Sequence, residues 1–227
     1  FYDYGWRKSE FLQTGISFEK INNRIRRMSE GLKIISDSFK KTKTNFNGNF
    51  YKVTNFISNP KPLKKIPIWL GEADNKLMIK EIVKNADVFN SMPCTLETYK
   101  KKIQKIKKEC IKQKRKFASL GQSLETQVLI GKNDNDLKKK IRKIIDNKRL
   151  NKSYDNDLIS RLLELNKENI DYENFEKLKE EFFVGSIKEI KKKIMSFRKV
   201  GVDHFMFWSM DFPNDYTIDQ LIKKIIN

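Results

Sequence analysis

Four short apolar runs, each followed by a long amphipathic stretch, constrain this chain more than anything else in it. They are "IPIWLG" at 66–71, "ADVFN" at 86–90, "LETQVLIG" at 124–131 and "VDHFMFWSMDFP" at 202–213. A continuous apolar run of this length is how a strand covered on both faces reads. Helical patterns follow at 76–85, 95–114, 134–146 and 217–227. Strand-helix alternation of this kind specifies an α/β chain with a parallel sheet. No G-x-G-x-x-G opens any of the helices, so the dinucleotide-binding fingerprint is missing. The opening "FYDYG" reads as the last turn of a further strand, which makes five strand candidates. An eight-stranded (β/α)8 barrel usually needs about 250 residues, so five strands suggest the C-terminal part of one.

Between these runs the pattern is equally regular. Residues 19–39 carry Ile21, Ile25, Met28, Leu32, Ile35 and Phe39 on one helical stripe. Asn47-Gly48 between aromatic residues predicts a hairpin. "NPKPLKK" is a connector whose residues before proline are extended. Residues 150–183 read as a polar, mostly helical insertion within a single domain spanning 1–227. "FFVGSIKEIKKKIMSFRKVG" reads as a helix entered through Gly185-Ser186, with Ser186 and Glu189 at capping-box spacing.

The formal charge of +19 raises nucleic acid, an anionic membrane or an acidic ligand as partners. The lysines, however, are spread along helices. In the stretch beginning at residue 96, Leu96, Tyr99, Ile103, Ile106 and Cys110 make one buried face and leave the lysines to solvent. The charge is therefore read as a solvated surface, and no nucleic acid partner is expected. No apolar stretch approaches the roughly 18 residues of a membrane span, so a cytoplasmic location without membrane contact is the default expectation. Cys94 and Cys110 form no metal-like cluster and suit a reducing compartment. His204 is the one histidine and has no visible acid partner, which favours a structural role. No Ser-His-Asp set and no paired-ligand spacing supports nucleophilic or metal chemistry.

Several motifs taken in order resemble the bacterial luciferase-like family of flavin- and F420-dependent oxidoreductases. Gly5, Trp6, Glu10, Gly15, Ile16 and Phe18 match the segment after the family's fourth strand. Arg24, Arg27, Glu30 and Leu32 match its R-x-x-R-x-x-E-x-L helix, and Phe46, Gly48 and Tyr51 its F-x-G-x-x-Y turn. "PKP…PIWLG", "ADVFN" and "VGSIKEIKKKI…GVDHF" complete the series, covering Gly5 to about Asp211. The resemblance implies a TIM barrel of the luciferase-like type, present from the end of strand 4 through strand 8 and the final helix. It also implies that the first three strands, and with them the general base, lie outside these residues.

The implied activity is hydride transfer between deazaflavin coenzyme F420 and a small organic substrate. An FMN-dependent monooxygenase is the alternative, and a non-catalytic barrel remnant a third reading. A homodimer is possible. Residues at C-terminal strand ends face a barrel's active site, which makes Gly5 and Trp6 candidates for the coenzyme wall. Trp6 packed at the rim is the competing reading; family members that oxidise sugar phosphates carry an acid there. The loop "GEADNKL" is the coenzyme phosphate candidate, with Gly71, Glu72 and Lys76 as its contacts. The family loop is usually richer in Gly, Ser and Thr, and the luciferases proper also carry Glu at the place of Glu72. Lys76 contacts the phosphate or is a surface lysine. Asn90 reaches the substrate pocket or caps a turn. Gly185 and Ser186 hold phosphate or, more simply, cap the helix.

Overall fold

The structure, a computed structural model, describes Gly5 and residues 8–72, 74–146 and 172–226. Its chain divides into two compact units, one of residues 1–90 and 104–121, the other of residues 91–103 and 122–227.

In the first unit α1 (Lys8–Gln13) precedes the long α2 (Ile21–Lys40). Helix α2 buries Ile25, Met28 and Leu32, the centre of the stripe that the sequence predicts. The hairpin also forms, from β1 (Thr44–Asn47) and β2 (Lys52–Phe56) in antiparallel register Phe46↔Val53. Its connection is longer than Asn47-Gly48 suggests. The Glu30 carboxylate on α2 accepts the N–H groups of Asn49, Phe50 and Tyr51 at 2.8, 2.9 and 3.1 Å. A helix side chain, not a tight two-residue turn, satisfies that backbone. A Cβ at Gly48 would run into the same carboxylate.

After the proline-rich connector come β3 (Trp69–Gly71), α3 (Lys76–Asn85) and β4 (Val88–Ser91). Strands β3 and β4 are parallel, with Trp69 opposite Val88 and Gly71 opposite Asn90. Helix α3 buries Met78, Ile79, Ile82 and Val83. Its C-terminal carbonyls are met by Arg115, whose Nη1 donates to Val83 O at 2.8 Å. Such a cation satisfies acceptors that the helix itself leaves open.

Helix α4 (Leu96–Lys112) places Tyr99, Ile103, Ile106 and Cys110 in the interior, as their 3-4 spacing predicts. Strand β5 (Gly121–Ile130) is the long central strand of the second unit. It is followed by α5 (Asp134–Asp146), α6 (Tyr172–Glu181), β6 (Phe183–Gly185), α7 (Ile187–Lys199), β7 (His204–Ser209) and α8 (Tyr216–Leu221). Both β6 and β7 run parallel to β5, and Val128 is the partner of Phe183 and of Ser209, so they occupy opposite edges. Leu129, Leu137, Ile141, Phe175, Leu178, Phe182 and Val184 form one core cluster. A second, aromatic group joins Tyr99, Phe197, Phe183 and Phe207 with ring centroids 5.3–5.8 Å apart. These edge-to-face and tilted pairs add to the burial itself.

The short strand β6 corrects the sequence expectation of a helix approach at "FFVG". Phe183 and Val184 are buried at the edge of β5, a pairing between residues more than fifty positions apart that local patterning does not carry. The capping box does form: Ser186 Oγ accepts the Glu189 N–H at 3.4 Å, and the Glu189 carboxylate accepts the Ser186 N–H at 2.7 Å. Most of the insertion expected at 150–183, and the strand end expected at 1–4, lie outside the described residues. Of residues 150–183 the structure describes α6 and the start of β6. Among the described residues the parallel strands number five, short of the eight of a closed barrel.

Candidate active site

The C-terminal ends of β3 and β4 meet at one register position, Gly71 opposite Asn90. Both residues are buried, Asn90 completely. The chain leaves β3 through Glu72, whose N–H donates to Asn90 O at 3.4 Å and whose φ is +54°. The left-handed region costs a non-glycine residue about 1–2 kcal/mol, and such strain collects where a site needs it. Three of the candidate residues are therefore brought together on adjacent strand ends.

Lys76 is exposed as the first residue of α3. The helix start is capped by Asn75, whose Oδ1 accepts the N–H groups of Leu77 at 2.7 Å and Met78 at 3.4 Å. Those are donors that a bound anion would use. Glu72 and Asp74 add two carboxylates to the same turn. As it stands, the loop does not fit a coenzyme phosphate unless Asn75 gives way. Asn75 is not among the residues that the sequence pattern nominated for the site, although an Asn directly before an apolar-periodic run is a readable cap signal.

Gly5 has φ +71°, and an added Cβ would lie 2.5 Å from the Phe11 ring. Its carbonyl accepts from Arg24 Nε at 3.0 Å, while the Arg24 guanidinium lies 3.9 Å over the Phe18 ring. Arg27 reaches Glu19 Oε2 at 3.0 Å and lies 4.6 Å over Phe50. Together with Glu30 on the hairpin backbone, these contacts give structural work to residues that carry the family resemblance. Trp6 lies outside the described residues.

Elsewhere, the Glu189 carboxylate is held down to about 2; burial opposes this, and Lys179 at 2.7 Å with the two Ser186 donors outweighs it. His204 is exposed on β7, opposite Ser123. The same register aligns Glu125 with Met206 and Gln127 with Trp208, and Trp208 Nε1 donates to Glu125 Oε1 at 3.0 Å. This polar row was not singled out from sequence, though period-two alternation along both strands could have found it. The Cys94 and Cys110 thiols are buried, and burial pushes the Cys110 thiol up. Among the described residues no group of three His, Cys, Asp or Glu stands together as a metal site. No helix among them is long and apolar enough to cross a membrane.

The family model described as luciferase-like monooxygenase matches residues 4–204. The chain belongs to the luciferase-like monooxygenase family. Its fold is shared with an F420-dependent secondary alcohol dehydrogenase solved with an F420-acetone adduct, at 16% identity and a TM-score of 0.75. That match covers 99% of this chain and 67% of the other. It is also similar to the coenzyme F420-dependent tetrahydromethanopterin reductase of Methanopyrus kandleri, at 15% identity and a TM-score of 0.68, covering 99% and 72%. A riboflavin lyase solved with modified FMN and riboflavin matches at 10% identity and a TM-score of 0.68, covering 95% and 59%. No curated protein matches in sequence. At these identities the likeness establishes the fold, a luciferase-like (β/α) barrel architecture of which this chain carries a part. Members of this luciferase-like family are oxidoreductases and monooxygenases.

Proposed function

We propose that this luciferase-like protein serves hydride transfer between deazaflavin coenzyme F420 and a small organic substrate. The observation that carries the reading is the strained strand end, where Glu72 at positive φ follows Gly71 and abuts the buried Asn90. The two F420-dependent enzymes among the similar folds support F420 as the coenzyme. When bound, the coenzyme supplies the hydride chemistry, and the protein's share is binding, orientation and exclusion of water.

In this reading Gly71 keeps the strand end free of a side chain. Asn90 orients the substrate's polar group through its amide, which both donates and accepts. The bond from Glu72 N–H to Asn90 O fixes the relative height of the two strand ends. Phosphate binding is not assigned to α3, because Asn75 occupies its first-turn donors. A second reading, FMN-dependent chemistry, draws on the similarity to the lyase solved with modified FMN.

Titration of the full chain with F420 and with FMN, followed by each coenzyme's own absorbance and fluorescence, tests both. Saturable F420 binding, with loss of its visible absorbance on addition of a secondary alcohol and its return with the ketone, is the expected result. Preferential FMN binding with oxygen uptake would install the second reading. Failure to bind either would leave the non-catalytic reading.

A further inference from the structure

We propose that the cleft between α5 and the 210–214 loop binds a phosphorylated small molecule of nucleotide size. This does not rest on the proposed reaction. The cleft encloses about 550 Å³, within the range of small-ligand sites. Its α5 wall carries Lys139, Arg142 and Lys143, at positions i, i+3 and i+4, which bring their side chains to one side of a helix. All three are exposed, and none is paired with an acid among the described residues.

Two carboxylates also line the cleft, but both are engaged by the protein. Asp211 accepts from Lys140 Nζ at 3.2 Å, from Ser209 Oγ at 2.8 Å and from Thr217 Oγ1 at 2.9 Å. Asp136 Oδ2 accepts the Lys132 N–H at 2.9 Å. Three cations therefore remain available to one concavity, where their fields add. Guanidinium and ammonium groups on one wall suit the oxygens of a phosphate or diphosphate.

The opposite wall distinguishes this cleft from basic surface in general. Phe212 presents its ring there at 69% exposure. An exposed phenyl ring beside cations is matched by a ligand with an anionic end and a planar, stacking end, as in a nucleoside diphosphate. The loop bearing it is already ordered: Asp211 ties it to Ser209, Lys140 and Thr217, and the Asn214 N–H donates to Asp211 O at 2.7 Å. Binding then has little loop-ordering entropy to overcome.

Isothermal titration of the full chain at physiological salt, with ADP, inorganic pyrophosphate, adenosine and a short single-stranded oligonucleotide, tests this. ADP is expected to bind one to one and more tightly than pyrophosphate or adenosine. Arg142→Glu with Lys143→Glu should weaken ADP by about tenfold or more, and Phe212→Ala by several-fold. Lys105→Glu with Lys108→Glu, exposed positions on α4 that remove the same charge, should leave binding unchanged. Equal losses in the two double variants would show generic charge attraction and overturn the proposal. So would absence of ADP binding, or oligonucleotide binding that exceeds ADP and tracks total charge. Pyrophosphate binding as tight as ADP and indifferent to Phe212→Ala would overturn the nucleotide assignment.

Discussion

Gly71 and Asn90 end neighbouring parallel strands side by side, and the residue after Gly71 donates its N–H to the Asn90 carbonyl at 3.4 Å. This contact depends on two residues nineteen positions apart reaching the same height in the sheet. It places a side-chain-free position next to a buried amide, an arrangement that can orient a small polar substrate.

If Asn90 positions substrate, Asn90→Leu lowers kcat/KM by about 10- to 100-fold, the worth of one buried hydrogen bond left unmade. Asn90→Asp should retain more activity than the leucine variant at a pH where the carboxyl group is protonated. Steady-state kinetics with circular dichroism checks this; equal loss of folded structure in both variants would make Asn90 a packing residue.

The capping box of α7 gives a pH signature. Glu189 is held at about 2, below its ordinary 4.5, so its stabilisation is complete above about 4.5 and is lost as pH falls towards 2. Thermal melts between pH 2 and 6 should show a steeper acid decline in the wild type than in Glu189→Gln. Because Glu189 is largely solvent-exposed, the difference will be small and will shrink further in salt.

Lys193 gives a slope of the same sign in an alkaline window, but from a charged form that burial disfavours. Its ammonium donates to the carbonyls of Lys179, Glu180 and Phe182 at 2.8, 2.7 and 2.6 Å, closing the end of α6. Burial pulls it down to about 8 from 10.5. Between those values the unfolded chain holds the proton more tightly, so this residue makes stability rise with pH across that window. Urea unfolding from pH 7 to 10.5 should show the rise in the wild type. Lys193→Met, with three carbonyls left open, should be less stable throughout and should lack it.

Asp211 joins β7, α8 and Lys140 through a nearly solvent-free carboxylate. Asp211→Ala removes the carboxylate partner of the Lys140 ammonium, which keeps the Ile130 carbonyl, and the acceptor of Ser209 Oγ, Thr217 Oγ1 and the Thr217 N–H, a loss of about 3 kcal/mol. Asp211→Asn keeps acceptor capacity for Thr217 and should cost less. Denaturant midpoints at constant m-value separate the two.

Much of this protein is decided by its sequence alone. Apolar spacing places α2, α3, α4 and α5 within a residue or two, because amphipathic periodicity is local and each helix needs only its own buried stripe. The cap of α7 is likewise written in Ser186 and Glu189, three residues apart. The tertiary structure alone decides what distant residues do to one another. It makes Glu30 the acceptor for a hairpin some twenty residues on, and turns Phe183 and Val184 into an edge strand. It also gives the first-turn donors of α3 to Asn75, sets Asn90 against Gly71, and ties Asp211 to Lys140 while Lys139, Arg142 and Lys143 face the same cleft. Local spacing fixes which face of an element is apolar; which polar groups remain for a ligand depends on satisfying every buried donor and acceptor across the whole fold.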